Sequence, residues 1–228
     1  CFNYFKDRLA RFYGTVVNLA IANDWMHKNP FAGIRFQEKE VIREVLTKEE
    51  IERMMCKEFA LPRLEYVRDV FIFCVFTGMA YVDVNNLRQE HIVRDNNDDL
   101  WIRKARQKTN NMCNIPLLKI PQLLMEKYKN HPLCTKTGAL LPVPSNQKMN
   151  SYLKEIADFC GIQKNLTTNT ARHTFATVVA LANGVSMENI AKMLGHSDIR
   201  MTQRYAKVMD SSIMRDMENV DKLFKSSE

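Results

Sequence analysis

Residues 167–179 read TTNTARHTFATVV and residues 194–208 read LGHSDIRMTQRYAKV. Ala171, Phe175, Val178 and Ala182 fall at i, i+4, i+7 and i+11, the apolar stripe of a helix predicted over 168–182. Asn169 and Arg172, three apart, share a different face, and the small Ala176 leaves room beside the arginine. An arginine on a helix packed by its apolar side is a fixed guanidinium fork, which suits two phosphate oxygens. The second stretch has two outlines. A helix over 186–194, a break at Gly195 and a helix over 199–207 resemble a helix-turn-helix that reads DNA, whereas His196 with Tyr205 nine residues later resembles part of a site that cuts it. On one continuous helix, nine steps of roughly 100° would put the two rings on opposite sides. The turn over Gly195–Asp198 removes that objection, with Asp198 and Ser186 as candidate N-caps.

Upstream, helical patterns cover 4–28, 48–58, 63–78, 83–90, 120–129 and 146–160, with Asp83 as a cap and Asn29-Pro30 as a stop. Thr47 and Glu50 form a capping box that opens the second domain. Between 92 and 117 the period changes: IVR, LWIRKA and MCNIPL read as two or three antiparallel strands, with Pro116 on an edge strand. The fold class is therefore mainly α with a small antiparallel β-sheet (α+β). The charged stretch RFQEKEVIREVL reads as a linker, and SSIMRDMENVDKLF at 211–224 as an amphipathic helix.

Composition narrows the function. A formal charge of +7 from 33 basic and 26 acidic residues favours an anionic partner. Cys1, Cys56, Cys74, Cys113, Cys134 and Cys160 show no CxxC spacing, which argues against a zinc site or a disulfide framework and fits a reducing compartment. The longest apolar run, VFIFCVFTGMAYV, is too short for a membrane span, and the first residues show no secretion signal.

TARHTFA followed by LGHSDIRMTQRYAKV, with Arg172 twenty-four residues before His196, resembles the tyrosine recombinase (phage integrase) family, in which an HxxRH arginine, an LGH histidine and a TxxYA tyrosine occur in this order. FTGMAYVDVNNLRQEHI resembles the family's TGxRxxE segment, and RQKTNNMCNIPL its lysine-bearing hairpin. The wording is most similar to integrases of Bacteroides-type mobile elements. The resemblance divides the chain into a core-binding-domain remnant (1–36), a linker (37–46), a catalytic domain (47–210) and a C-terminal helix (211–228) that docks on a neighbouring protomer or on its own domain.

The resemblance implies a site-specific recombinase that needs no metal or other cofactor. Tyr205 would attack a DNA phosphodiester to give a 3′-phosphotyrosine, and Arg172 would bind the phosphate oxygens. His196 would bind one oxygen or position Tyr205, and Lys108 would protonate the leaving 5′-oxygen. Double-stranded DNA is the implied partner. The protein would form a tetramer on DNA and a monomer or weak oligomer when free, with accessory DNA-bending proteins, in the cytoplasm on the nucleoid. Two positions depart from the pattern: Ala80 stands at the first arginine and Asn169 at the HxxR histidine. Asn169 can donate a hydrogen bond but cannot shuttle a proton. Arg106, two residues before Lys108 and on its face of the strand, is the candidate replacement cation, with Arg103 on the opposite face. Arg103, Arg106 and Arg204 are the expected DNA-contacting residues. A catalytically impaired DNA-binding relic and a helix-turn-helix regulator are the alternatives.

Overall fold

The computed structural model describes residues 2–31 and 44–206. They belong to two compact units that divide between Ile42 and Arg43. In the first, α1 (Phe2–Ala22) ends six residues before Lys28, the end of the predicted helix. Asn23 Nδ2 takes the carbonyl of Leu19, and Asp24 turns the chain with a φ of 57°. Asn-Asp thus ends the helix before Pro30 can act.

The second unit is built on α3 (Pro62–Thr77), which Gly78 closes in the left-handed region. Apolar residues surround this helix, so it is buried rather than amphipathic; Phe71 and Phe73 are fully enclosed. Around it pack α2 (Lys48–Cys56), α5 (Lys119–Tyr128), α7 (Asn146–Phe159) and α8 (Thr168–Thr174). The Thr47–Glu50 capping box is present at the start of α2. Leu46, placed in the linker by sequence, is fully buried and donates its N–H to Thr174 Oγ1. Most of that linker, and the helix predicted over 211–224, lie outside the described residues.

Short elements fill the rest. The predicted helix over 83–90 is shorter and earlier, α4 (Tyr81–Asn85), followed by a 3₁₀ turn at Gln89–His91. Ala80, not Asp83, occupies its cap. The strands β1 (Ile92–Arg94), β2 (Leu100–Ala105) and β3 (Met112–Pro116) form an antiparallel sheet in that order, so Pro116 does lie on an edge strand. Ile102 pairs with Ile92 and Ile115, while Arg103 pairs with Asn114 on the other face. The helix α6 (Pro132–Thr137), without apolar periodicity, was not expected.

The predicted continuous helix over 168–182 is interrupted. After α8 the chain widens into a π-helical turn at Phe175–Ala180 and tightens into a 3₁₀ turn at Leu181–Asn183. Each change of winding rotates the buried face, so Ala176 and Ala180 are enclosed while Val178 and Ala182 are only half-buried. The turn begins three residues after Arg172. Beyond it, α9 (Met187–Leu194) and α10 (Arg200–Ala206) are separated by Gly195–Ile199. Ser186 caps α9; Asp198 stands one residue outside the cap of α10, and its carboxylate accepts from the Arg200 N–H.

Candidate active site

Arg172 is 6% exposed, and helix ends hold it in place. Its Nη1 donates to the carbonyl of Gly78 at 2.7 Å, and its Nη2 to that of Leu194. Those oxygens end α3 and α9, where helix carbonyls are short of donors and carry partial negative charge. The expected fork is therefore fixed, but two of its five N–H groups position it and three are left for a ligand. Gly78 has to be glycine: its φ is +66°, and a Cβ there would lie 2.4 Å from Phe175 Cδ1.

The β2–β3 hairpin closes over this arginine. Its loop is Arg106–Asn111, in which the Arg106 N–H donates to Asn111 O. Thr109 Oγ1 donates to the Gly195 carbonyl at 3.0 Å, and Asp83 accepts the Gln107 N–H at 2.9 Å. The loop is thus tied both to the His196 turn and to α4. Arg106 and Lys108 lie in this loop rather than on a strand, so strand alternation does not place them. Arg106 packs on Gly195: a Cβ at 195 would come 3.3 Å from the Cβ and Cδ of Arg106 and 2.6 Å from Cys113 Sγ. The Nε and Nη1 atoms of Arg106 are buried and meet no hydrogen-bond partner among the described residues. Burial first, and then the charge of Arg106, bring the Arg172 pKa down to about 10, so Arg172 remains a cation at neutral pH.

The turn after Gly195 brings His196 and Tyr205 together. Their rings are nearly parallel, 13° apart in plane with centroids 6.3 Å apart, and His173 meets the same tyrosine at 5.4 Å and 53°. Tyr205 is 8% exposed. Burial, then the charges of Arg172, Arg106 and His173, push the His196 pKa down to about 4, so the imidazole is neutral at physiological pH. Its Nδ1 lies 2.8 Å from the hydroxyl of the fully buried Thr202.

The other expected residues are more peripheral. Lys108 is exposed in the hairpin loop, Arg103 is exposed on β2, and Arg204 is exposed on α10 beside Tyr205. Asn169 is exposed in the first turn of α8, whose cap is Thr167. Ala80 is half-buried at the cap of α4. Four residues beside the cluster were not among the candidates: Asp83, Lys104, His173 and Thr202. Asp83 and Lys104 line a small cavity with Arg172 and Cys113. Asp83 had a signal, the acidic position of the TGxRxxE pattern, and His173 is the last residue of HxxRH; Lys104 and Thr202 had none beyond their neighbours.

Among the described residues no group of three His, Cys, Asp or Glu side chains could hold a metal ion, and no helix is long and apolar enough to cross a membrane.

A mainly helical unit with a three-stranded sheet beside the Arg172 helix is the fold of tyrosine recombinase catalytic domains. It matches a Tn1549 transposon integrase in complex with circular intermediate DNA at a TM-score of 0.68, with 16% identity over 92% of this chain and 77% of that one. It also matches a lambda integrase dimer bound to a COC′ core site at 0.64, with 18% identity over 85% and 69%. The chain belongs to the phage integrase family, whose pattern matches residues 44–212. Tyrosine recombinase XerD of Staphylococcus saprophyticus is 39% identical over 95 residues, 42% of this chain and 31% of that protein. For Staphylococcus aureus XerD the figures are 41% over 71 residues, 31% and 24%. The matches thus span under a third of the length of these curated relatives.

Proposed function

We propose that this chain is the strand-cutting part of a site-specific DNA recombinase that breaks and rejoins DNA through a 3′-phosphotyrosine. The observation that carries the reading is the position of Tyr205: stacked on His196 across a glycine turn, next to the paired guanidinium groups of Arg172 and Arg106. Attack by the tyrosine hydroxyl on a phosphodiester puts negative charge on the equatorial oxygens of the phosphorus centre, and fixed cations stabilise that charge without reorganising. Arg172 and Arg106 supply the cations, and His196 supplies one hydrogen bond. Covalent storage of the phosphodiester energy then permits rejoining without a nucleotide.

Lys108, in a loop tied to the His196 turn, is the proposed acid for the leaving 5′-oxygen. Asn169 is proposed to contact phosphate from the start of α8, and Arg103 and Arg204 to hold the DNA backbone. The partner is double-stranded DNA, bound as a tetramer that the free protein does not maintain, together with accessory bending proteins, in the cytoplasm on the nucleoid. We assign 1–36 to the end of a core-binding domain, 37–46 to the linker, 47–210 to the catalytic domain and 211–228 to the exchanged helix. Against a helix-turn-helix reader, α10 turns Thr202 and Tyr205 inward.

A nicked suicide substrate carrying the cognate recombination site tests the reading. The wild-type chain should give a covalent protein–DNA band and Tyr205→Phe none. Binding without a band in the wild type would point to the relic.

A further inference from the structure

We propose that Thr202 is a positioning residue that fixes His196 as its Nε2–H tautomer, so that the imidazole meets the DNA phosphate as a hydrogen-bond donor and does not take the proton of Tyr205.

Thr202 lies in α10, fully buried, one turn before Tyr205. Its backbone N–H donates to Ile199 O at 2.7 Å, which leaves the hydroxyl to be satisfied separately. Among the described residues the one hydrogen-bond partner of that hydroxyl is Nδ1 of His196, 2.8 Å away. A threonine within a helix commonly turns its hydroxyl back to the carbonyl four residues earlier. Thr174 and Thr177 do so here, whereas Thr202 points to the histidine.

A neutral imidazole has one N–H, which leaves two arrangements. If Nδ1 carried the proton, it would donate to Thr202 Oγ1 and the hydroxyl hydrogen, on a fully buried side chain, would have no acceptor among the described residues. An unmade buried hydrogen bond of this kind is disfavoured. If the hydroxyl donates to Nδ1, both groups are satisfied and the ring proton sits on Nε2. Arg172 and Arg106 act against a second proton on the ring, so the tautomer rather than the charge decides what the histidine does. A ring with Nε2–H has a donor for phosphate and no lone pair free for the tyrosine.

The inference rests on the recombinase reading only for what the donor is used on; the tautomer can be measured without DNA. In the full chain with ¹⁵N-histidine, with His196→Gln assigning the resonances, the ring should show a protonated Nε2 and an unprotonated Nδ1. Thr202→Val removes the hydroxyl at nearly constant volume; it should give a mixture of tautomers and slow single-turnover cleavage on the order of tenfold, the size of one neutral hydrogen bond. Thr202→Ser should restore both. A protonated Nδ1 in the wild type overturns the proposal, as does a ring unchanged by Thr202→Val. If Thr202→Val does not fold, the wild-type ring and Thr202→Ser decide it. Failure of the Tyr205 trapping assay with the expected ring resonances would instead sink the recombinase reading and leave the tautomer standing.

Discussion

Thr109 Oγ1 donates a hydrogen bond to the backbone carbonyl of Gly195, which joins the β2–β3 hairpin to the turn that carries His196. The acid proposed for the leaving group and the donor proposed for the phosphate are thereby mechanically linked. Thr109→Val should weaken the link to the longer bond from Asn111 Nδ2, 3.5 Å from the same carbonyl, without opening the core, since Thr109 is only half-buried. Melting temperature and DNA affinity should stay near wild type, and single-turnover cleavage should fall about three- to tenfold, the effect of roughly 0.5–1.5 kcal/mol. Equal losses of affinity and rate would show that the bond serves DNA binding instead.

Gly195 allows no side chain. Its φ is +61°, and an added Cβ would sit 2.6 Å from Cys113 Sγ and 3.3 Å from Arg106. Gly195→Ala combines left-handed strain with a clash against a packed strand, so it should cost about 1–3 kcal/mol in urea denaturation. Cleavage should fall further than stability explains, because both Arg106 and the His196 turn must move. The double variant Gly195→Ala/Cys113→Ala should recover part of the stability; no recovery would mean that backbone strain, not the thiol contact, dominates.

Much of this arrangement could be read in the residues. The capping box at Thr47–Glu50, the break at Gly195 and the edge strand ending in Pro116 depend on local chemistry, which acts the same way in any fold. The turn at Gly195 only permits His196 to meet Tyr205; the pairing itself came with the family resemblance. The π turn after Arg172 was not legible, because FATVV suits several windings and packing against Gly78 and α3 selects one. Strand parity does not place Arg106, because β2 ends at Ala105 and the hairpin loop carries it. Thr202 was missed because a polar residue on a short polar helix gives no sign of facing inward.

Ala80 removes one cation of the family pattern, and Arg106 lies where its charge depresses the pKa of both Arg172 and His196. Arg106→Ala should lower single-turnover cleavage about 10²- to 10³-fold, the usual cost of losing one fixed transition-state donor. Ala80→Arg combined with Arg106→Ala should bring the rate back near wild type. If Arg106→Ala alone cleaves normally, Arg106 is not the replacement.

The pKa of His196, down to about 4 from the ordinary 6.5 through burial and then through Arg172, Arg106 and His173, makes stability depend on pH. Because the folded value lies below the unfolded one, the unfolded chain takes up the proton first as pH falls. The resulting loss starts near 6.5, grows down to about 4 and is absent above 6.5. His91 is also depressed, by burial and then Lys104, and contributes in the same direction to every variant that retains it. The difference between wild type and His196→Gln therefore isolates His196. In thermal melts at a series of pH values the wild type should lose more melting temperature than His196→Gln between pH 6.5 and 4, with a constant offset at higher pH. Parallel curves across that window would mean that His196 titrates normally and that the two arginines do not act on it.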